Sequence, residues 1–87
     1  MFLLRTFSRD YNQSEFQMKK FAFQERFTKE LEITKLSQQE IARRCDIDPS
    51  CITQYKQGKN FPSIKILFKL CQVLDVSADY LLGLSDR

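Results

Sequence analysis

Apolar residues recur three and four positions apart along most of this chain, and such spacing predicts α-helices. The alternating apolar runs that indicate strands are missing from the sequence. Glycine and proline, which interrupt regular structure, occur only twice each, all in the second half of the chain. We therefore predict an all-α fold with five helices.

Residues 1–17 precede the first clear helical pattern. They combine large apolar side chains with a stretch of poor helix formers, SRDYNQS. We predict an N-terminal extension over residues 1–17, either disordered or packed on the domain or on a partner chain, followed by one domain over residues 18–87. The first helix of that domain is predicted from about Met18 to Ile33.

Start and stop signals mark the next two helices. Ser37 with Glu40 three residues later predicts a capping box, in which the serine oxygen and the glutamate side chain each bind a backbone amide. The third helix is predicted to begin after Asp48, an N-cap, with Pro49 at the first helical position. It should end at Gly58, which can adopt the left-handed conformation.

The last two predicted helices lie in the C-terminal part of the domain. The fourth starts at Pro62-Ser63 and has the strongest period of 3.6 residues in the chain, carried by Ile64, Leu67, Phe68, Cys71 and Leu74. A short fifth helix follows Ser77 and ends before Gly83. Its apolar residues, Tyr80, Leu81 and Leu82, are predicted to close the core.

The second and third predicted helices are separated only by Asp46, Ile47 and Asp48, a spacing typical of a helix-turn-helix unit. The second helix of such a unit stands out from the domain and can enter the major groove of DNA, so it needs an apolar inner face and a polar outer face. The inner face is predicted to contain Ile47, Ile52 and Tyr55. The outer face is predicted to contain Ser50, Thr53, Gln54 and Gln57.

At this point the chain resembles the phage repressor and Cro (XRE-like) type of helix-turn-helix domain. The resemblance covers Leu36–Gly83, LSQQEIARRCDIDPSCITQYKQGKNFPSIKILFKLCQVLDVSADYLLG. It rests on the linked features Leu-Ser-Gln, Ile41-Ala42, Ile52, Gly58-Lys59, Pro62-Ser63 and Val76–Leu82. The resemblance implies a compact five-helix lambda-repressor-like DNA-binding domain that acts as a sequence-specific transcription regulator and represses genes.

The resemblance also implies which residues read the bases. Ser50, Thr53 and Gln54 match outward positions of the recognition helix that reach base edges. Gln54 has the best chemistry, because an amide can present a donor and an acceptor together to adenine. Pro49 stands at a position that is often polar in the family, so it can offer a thymine methyl group only an apolar contact.

A second group of positions matches residues that hold the DNA backbone. Gln38 corresponds to a phosphate ligand at the start of the second helix, helped by the helix dipole. Ser37 is primarily a cap, with phosphate binding as a second role. Gln57, Lys59 and Asn60 match sugar-phosphate contacts after the recognition helix.

Two positions depart from the family pattern. Asp46 replaces a glycine that is common in the turn, and we expect it to adopt the left-handed conformation at some cost in free energy. Lys56 replaces an acidic residue that often pairs with an arginine of the first helix. We therefore expect that the buried ion pair of the family is absent.

Charge supports DNA as the partner without requiring it. The 87-residue chain has a net charge of +3. Between Leu36 and Cys71 six basic residues face three acidic ones, a net +3, whereas from Gln72 to Arg87 one basic residue faces three acidic ones, a net −2. The predicted motif is thus the basic part of the chain, and phosphate contacts would contribute much of the affinity.

The residue inventory argues against catalysis. Three widely spaced cysteines and no histidine give neither a metal site nor a base for thiol catalysis at Cys51. We therefore expect no enzyme activity, no cofactor, no metal and no small-molecule substrate. Reduced cysteines and the lack of an N-terminal signal or membrane segment predict a cytoplasmic protein.

A single recognition helix makes few base contacts, so we expect a homodimer on a pseudo-palindromic operator in double-stranded DNA. The dimer surface is predicted to lie in the fifth helix or in the N-terminal extension. An alternative of another class is a protein-interaction module, antitoxin-like or adaptor-like, that uses the same helical scaffold to bind a partner protein.

Overall fold

Five α-helices form the structure, a computed structural model that describes residues 18–86. Their bounds are α1 Phe23–Ile33, α2 Gln38–Cys45, α3 Pro49–Gln57, α4 Ile64–Leu74 and α5 Ala78–Leu82. The described residues include no strand, so the all-α prediction is confirmed. None of the helices in this part of the chain is long and apolar enough to cross a lipid bilayer.

Side-chain caps fix where four of the helices begin. The side chains of Ser37, Asp48, Ser63 and Ser77 each accept a hydrogen bond from a backbone amide in the first turn of α2, α3, α4 and α5, respectively. A capping side chain satisfies one of the amides that have no partner within the helix. The predicted caps at Ser37 and Asp48 are thereby confirmed.

The core gathers side chains from all five helices. Its buried members are Phe23, Phe27, Ile41, Ala42, Cys45, Ile52, Tyr55, Leu70 and Leu81. The rings of Phe23 and Phe27 stack with centroids 5.0 Å apart, and the Tyr55 ring meets both edge-on at 6.4 and 6.1 Å. These contacts hold α3 against α1, as edge-to-face aromatic pairs do. Leu81 is buried, which confirms that α5 helps to close the core.

The predicted start of the first helix at about Met18 is wrong, because α1 begins at Phe23. Residues 18–22 are not helical, and the last of them, Ala22, contacts the end of α5. The Ala22 amide donates to the Leu82 carbonyl at 3.1 Å. This tertiary bond takes the place of a helical turn that the local pattern alone would favour.

The apolar stripe predicted for the fourth helix is only partly buried. Leu70, which lies outside the predicted stripe, is fully buried, whereas Ile64 and Phe68 are largely exposed. Leu67, Cys71 and Leu74 are half-buried. Because α4 has apolar residues on most of its circumference, the period of 3.6 residues did not determine which side faces the core.

Arg26 fastens the C-terminal end of the domain to α1. Its Nη1 donates to the Tyr80 carbonyl at 2.7 Å and also to the Ser85 carbonyl. The guanidinium lies 4.7 Å from the centre of the Tyr80 ring and 3.8 Å from a carboxylate oxygen of Asp86.

The N-terminal extension predicted over residues 1–17 lies outside the described residues, so the boundary at Met18 stays a prediction.

Candidate nucleic-acid interface

The turn between α2 and α3 is built by the backbone. Asp46 adopts the left-handed conformation with φ of 60°, as expected from its place in the turn. Its amide donates to Arg43, and the next amide, from Ile47, donates to Ala42 at 3.0 Å. The Asp48 side chain then accepts from the Ser50 amide at 2.8 Å and begins α3. This bond lowers the pKa of the Asp48 carboxyl, since it stabilises the charged form.

α3 has the two different faces that the sequence predicted. Ile52 is fully buried and Tyr55 is 4% exposed, while Ile47 at the turn is half-buried. Burial also raises the pKa of the Tyr55 hydroxyl. The outer face is exposed and consists of Ser50, Thr53, Gln54 and Gln57. A short helix is thus anchored on one side and presents hydroxyl and amide groups on the other.

The structure brings two predicted site residues into contact at the end of α3. Asn60 Nδ2 donates to Gln54 Oε1 at 3.4 Å, and Asn60 Oδ1 accepts from the Phe61 amide at 2.9 Å. The side chain of Gln54 is therefore linked to the loop that follows the helix. One residue expected to read bases and one expected to hold phosphates lie side by side.

Gln24 positions the end of α3, and sequence reasoning missed it. Its Nε2 donates to the Lys56 carbonyl at 2.9 Å. A Cβ placed on Gly58 would lie only 2.6 Å from Gln24 Oε1, which shows how closely this side chain approaches the left-handed turn. The two partners are 32 positions apart in sequence, and no local pattern signals such a contact.

At the start of α2 the predicted capping box is only half present. The Glu40 amide does donate to the Ser37 hydroxyl at 3.0 Å. The Glu40 side chain, however, binds Arg43 and Arg44 instead of the serine amide, with Arg44 Nε 2.7 Å from the carboxylate. These two guanidinium groups lower the pKa of the Glu40 carboxyl from 4.5 to about 2, and the hydrogen bonds from Arg43 have the larger effect. Two strong donors compete successfully with one backbone amide.

The predicted DNA contacts share one property in the structure: nearly all are exposed. Exposed positions are Ser37, Pro49, Ser50, Thr53, Gln54, Gln57, Lys59 and Asn60, whereas Gln38 is half-buried. They belong to the first turn of α2, to α3 and to the loop after α3. Their roles in binding DNA stay predictions, but their accessibility is what such roles need.

Residues 18–86 contain no disulfide and no cluster of metal-binding side chains. Cys45, Cys51 and Cys71 are unpaired thiols, and the described residues contain no cluster of three or more metal-binding side chains. Burial raises the pKa of the Cys45 and Cys71 thiols, which keeps them protonated and poorly nucleophilic near neutral pH.

The chain is similar to known helix-turn-helix proteins in sequence and in fold. A family model described as helix-turn-helix matches residues 31–81, more than half of the chain. The solution structure of the DNA-binding domain of the P22 c2 repressor is 25% identical, with a TM-score of 0.68, and the alignment covers 80% of this chain and 95% of that one. No curated protein matches the chain.

Two further solved structures share the fold. The P22 c2 repressor in complex with a synthetic operator is 24% identical with a TM-score of 0.66, over 70% of this chain and 92% of that chain. The SOS-response transcriptional repressor LexA from Eubacterium rectale is 18% identical with a TM-score of 0.65, over 69% of this chain and 64% of that chain.

Proposed function

The chain belongs to the helix-turn-helix family of the phage repressor and Cro type, and on that basis we propose that it is a sequence-specific transcriptional repressor that inserts α3 into the major groove of DNA. The family and the fold are those of DNA-binding transcription regulators. Repression follows when a protein bound at an operator blocks access to the DNA. Operator binding in the cytoplasm is consistent with the unpaired cysteines of the described residues.

The observation that carries the proposal is the division of α3 into two faces. Ile52 and Tyr55 fix the helix to the core, so its orientation is set before any DNA is bound. The exposed groups on the opposite face are hydroxyls and amides, which match the donors and acceptors of base edges in the major groove. A rigid helix with a polar outer face is the element that a major groove accommodates.

Base recognition is assigned to the outer face of α3. Gln54 offers one donor and one acceptor to an adenine, and Ser50 and Thr53 offer hydroxyl groups to neighbouring bases. Pro49, exposed at the first position of α3, offers only an apolar surface to a thymine methyl group. Specificity therefore depends most on Gln54.

Backbone contacts are assigned to both ends of the motif. At one end, Ser37 and Gln38 stand where the first-turn amides of α2 give the partial positive charge that attracts a phosphate. At the other end, Gln57, Lys59 and Asn60 follow each other closely and are exposed. The two groups would hold the helix at a fixed depth and register in the groove.

A homodimer on a pseudo-palindromic operator completes the proposal. One short recognition helix contacts only a few base pairs, and doubling the contact through a two-fold axis gives useful affinity and specificity. The related P22 c2 repressor domain has been solved with a synthetic operator, which supports operator DNA as the partner class.

Selection from a randomised duplex library on the purified protein, followed by sequencing of the bound pool, tests this function. We expect an enriched inverted repeat, whose spacing gives the distance between half-sites. Salt-sensitive retention without enrichment would show that the protein binds phosphates but reads no sequence. No retention at low salt would favour a protein-interaction module and contradict the proposal.

A further inference from the structure

α4 carries an apolar surface that the described part of the domain leaves uncovered. Ile64 is 87% exposed and Phe68 63% exposed, and their four-residue spacing places both on one side of the helix. Leu67 and Cys71, half-buried, continue the same side. We call these four residues the α4 face. Exposed apolar residues that are contiguous, unlike scattered ones, indicate an interaction site.

The α4 face borders a groove of about 550 Å³. The groove lies between α4 and the start of α5. One wall is the α4 face, and the other consists of the last turn of α4, the residues that join the two helices and the first residue of α5. The residues of that second wall are Gln72, Asp75, Val76, Ser77 and Ala78. In a single copy Ile64 forms part of the groove wall, so it does not fill the groove. An exposed apolar side chain of this size from a second copy fits such a groove.

The charges at the two ends of α4 are opposite. Lys65 is exposed in the first turn, and Asp75, the exposed C-cap, ends the helix. When two copies of a helix pack antiparallel about a two-fold axis near position 70, position 65 of one copy faces position 75 of the other. The same register places position 64 opposite position 76. Lys65 would then meet Asp75 twice, and Ile64 would meet Val76 in the groove of the other copy.

We propose that the α4 face is the homodimer interface and that its occupant is a second copy of this chain. A two-fold contact requires a surface that complements itself, and this surface joins a projecting apolar residue to a groove and a cation to an anion. This proposal rests on the proposed function in one respect only, that a dimer binds the two half-sites of an operator. It differs from the prediction that the dimer surface lies in the fifth helix or in residues 1–17.

The position of the face suits DNA binding. Ile64 begins α4 shortly after Gly58, where α3 ends, and the intervening loop contains Lys59 and Asn60. The N-terminal end of the α4 face therefore follows closely in the chain on the residues proposed to hold phosphates.

Sedimentation equilibrium of the 87-residue chain over a wide concentration range tests the interface. The variants are Ile64→Glu and Phe68→Glu, and the matched control is Ile33→Glu, because Ile33 is 64% exposed at the end of α1 and outside the α4 face. We expect each α4 variant to weaken dimerisation about tenfold or more, since a carboxylate would be buried without a partner. The control should dimerise as the unchanged protein does, and thermal unfolding should show that all three variants are folded.

Charge variants test the register. Lys65→Glu would set one acidic group against Asp75 of the other copy at each end of the contact, so we expect weaker dimerisation than in the unchanged protein. Adding Asp75→Asn removes that repulsion and should restore part of the loss, since asparagine also tolerates the left-handed conformation at this position. A double variant that dimerises no better than Lys65→Glu alone would overturn the antiparallel register.

DNA binding measured on the same samples separates this proposal from the function. A protein that dimerises through the α4 face but retains no duplex DNA would overturn the function and support the interface. Unchanged dimerisation of both α4 variants would overturn the interface, as would a chain that is monomeric even on an inverted repeat. If the unchanged chain is monomeric and Phe68→Glu speeds proteolysis within residues 1–17, the occupant is the N-terminal extension and the proposal is wrong.

Discussion

At the scale of single residues, Gln54 carries the most specific prediction. Its Oε1 already accepts a hydrogen bond from Asn60, so the amide is oriented before DNA arrives. Gln54→Ala should weaken binding to the selected operator by about 1–3 kcal/mol while leaving the affinity for random duplex unchanged. Titration of both duplexes by fluorescence anisotropy measures the two affinities. Equal weakening on both would mean that Gln54 holds the backbone and reads no base.

The two glycines with positive φ differ in what surrounds them. A Cβ on Gly83 would lie 2.2 Å from the backbone oxygen of Lys20, whereas on Gly58 it would meet the flexible end of Gln24 at 2.6 Å. Either alanine must adopt the left-handed conformation, which costs roughly 1–2 kcal/mol. Gly83→Ala should therefore lower the free energy of unfolding by about 2–5 kcal/mol in total and clearly more than Gly58→Ala. Urea unfolding of both variants checks the order, and a larger loss for Gly58→Ala would contradict it.

At the scale of elements, local sequence signals were enough to predict where α2 and α3 begin and where α3 ends. The N-caps are Ser37 for α2 and Asp48 for α3, and the left-handed residue that ends α3 is Gly58. Capping and left-handed termination act within one turn of the chain, so the local sequence is sufficient to predict them. The start of α1 and the orientation of α4 depend instead on contacts with distant elements. The bond from Ala22 to Leu82 and the burial of Leu70 in place of Ile64 leave no trace in a local pattern.

The Glu40 cluster gives α2 a pH dependence. Its carboxyl has a pKa of about 2 in the folded protein against 4.5 ordinarily, so the charged form stabilises the folded state. That stabilisation is complete above about pH 4.5 and is lost as the pH falls towards 2. It should be modest, because the two arginine side chains are 70% and 47% exposed to water.

Glu40→Gln tests this dependence directly. The variant keeps the shape of the side chain but lacks the charge, so its stability should fall below that of the unchanged protein near neutral pH. The two proteins should converge as the pH approaches 2. Urea midpoints measured across this range provide the comparison, and a difference that does not change with pH would show that the arginines do not stabilise the carboxylate.

At the scale of the whole molecule, the exposed face of α3 was predictable from the sequence, whereas the contacts that hold the helix in place were not. Exposure of the outer face of α3 follows from its period, because Ile52 and Tyr55 determine which side is buried. The hold of Gln24 on the end of α3 could not be predicted, because it joins positions 32 apart that only the packed core brings together. The sequence thus predicts which side chains of α3 are exposed, and tertiary contacts such as that of Gln24 determine how the helix is held.

Charge distribution across the molecule makes affinity depend on salt. The segment Leu36–Cys71 has a net charge of +3, while Gln72–Arg87 has −2, so the motif attracts phosphates and the C-terminal end repels them. Each phosphate neutralised releases counterions, and the logarithm of affinity falls linearly with the logarithm of salt concentration. Lys59→Gln should reduce this slope by about 1 for each subunit bound. The reduction should be the same on selected and random duplexes, because Lys59 is assigned to the backbone and not to a base.

A matched lysine separates a local contact from a general effect of charge. Lys29 is exposed on α1, outside the two helices of the motif, and Lys29→Gln changes the net charge by the same amount. If affinity depends on the total charge, both variants should weaken binding equally; if Lys59 contacts a phosphate, only Lys59→Gln should reduce the slope. Anisotropy titrations at several salt concentrations distinguish these outcomes. Equal slopes for the two variants would remove Lys59 from the backbone contacts, while leaving the role of Gln54 open to its own test.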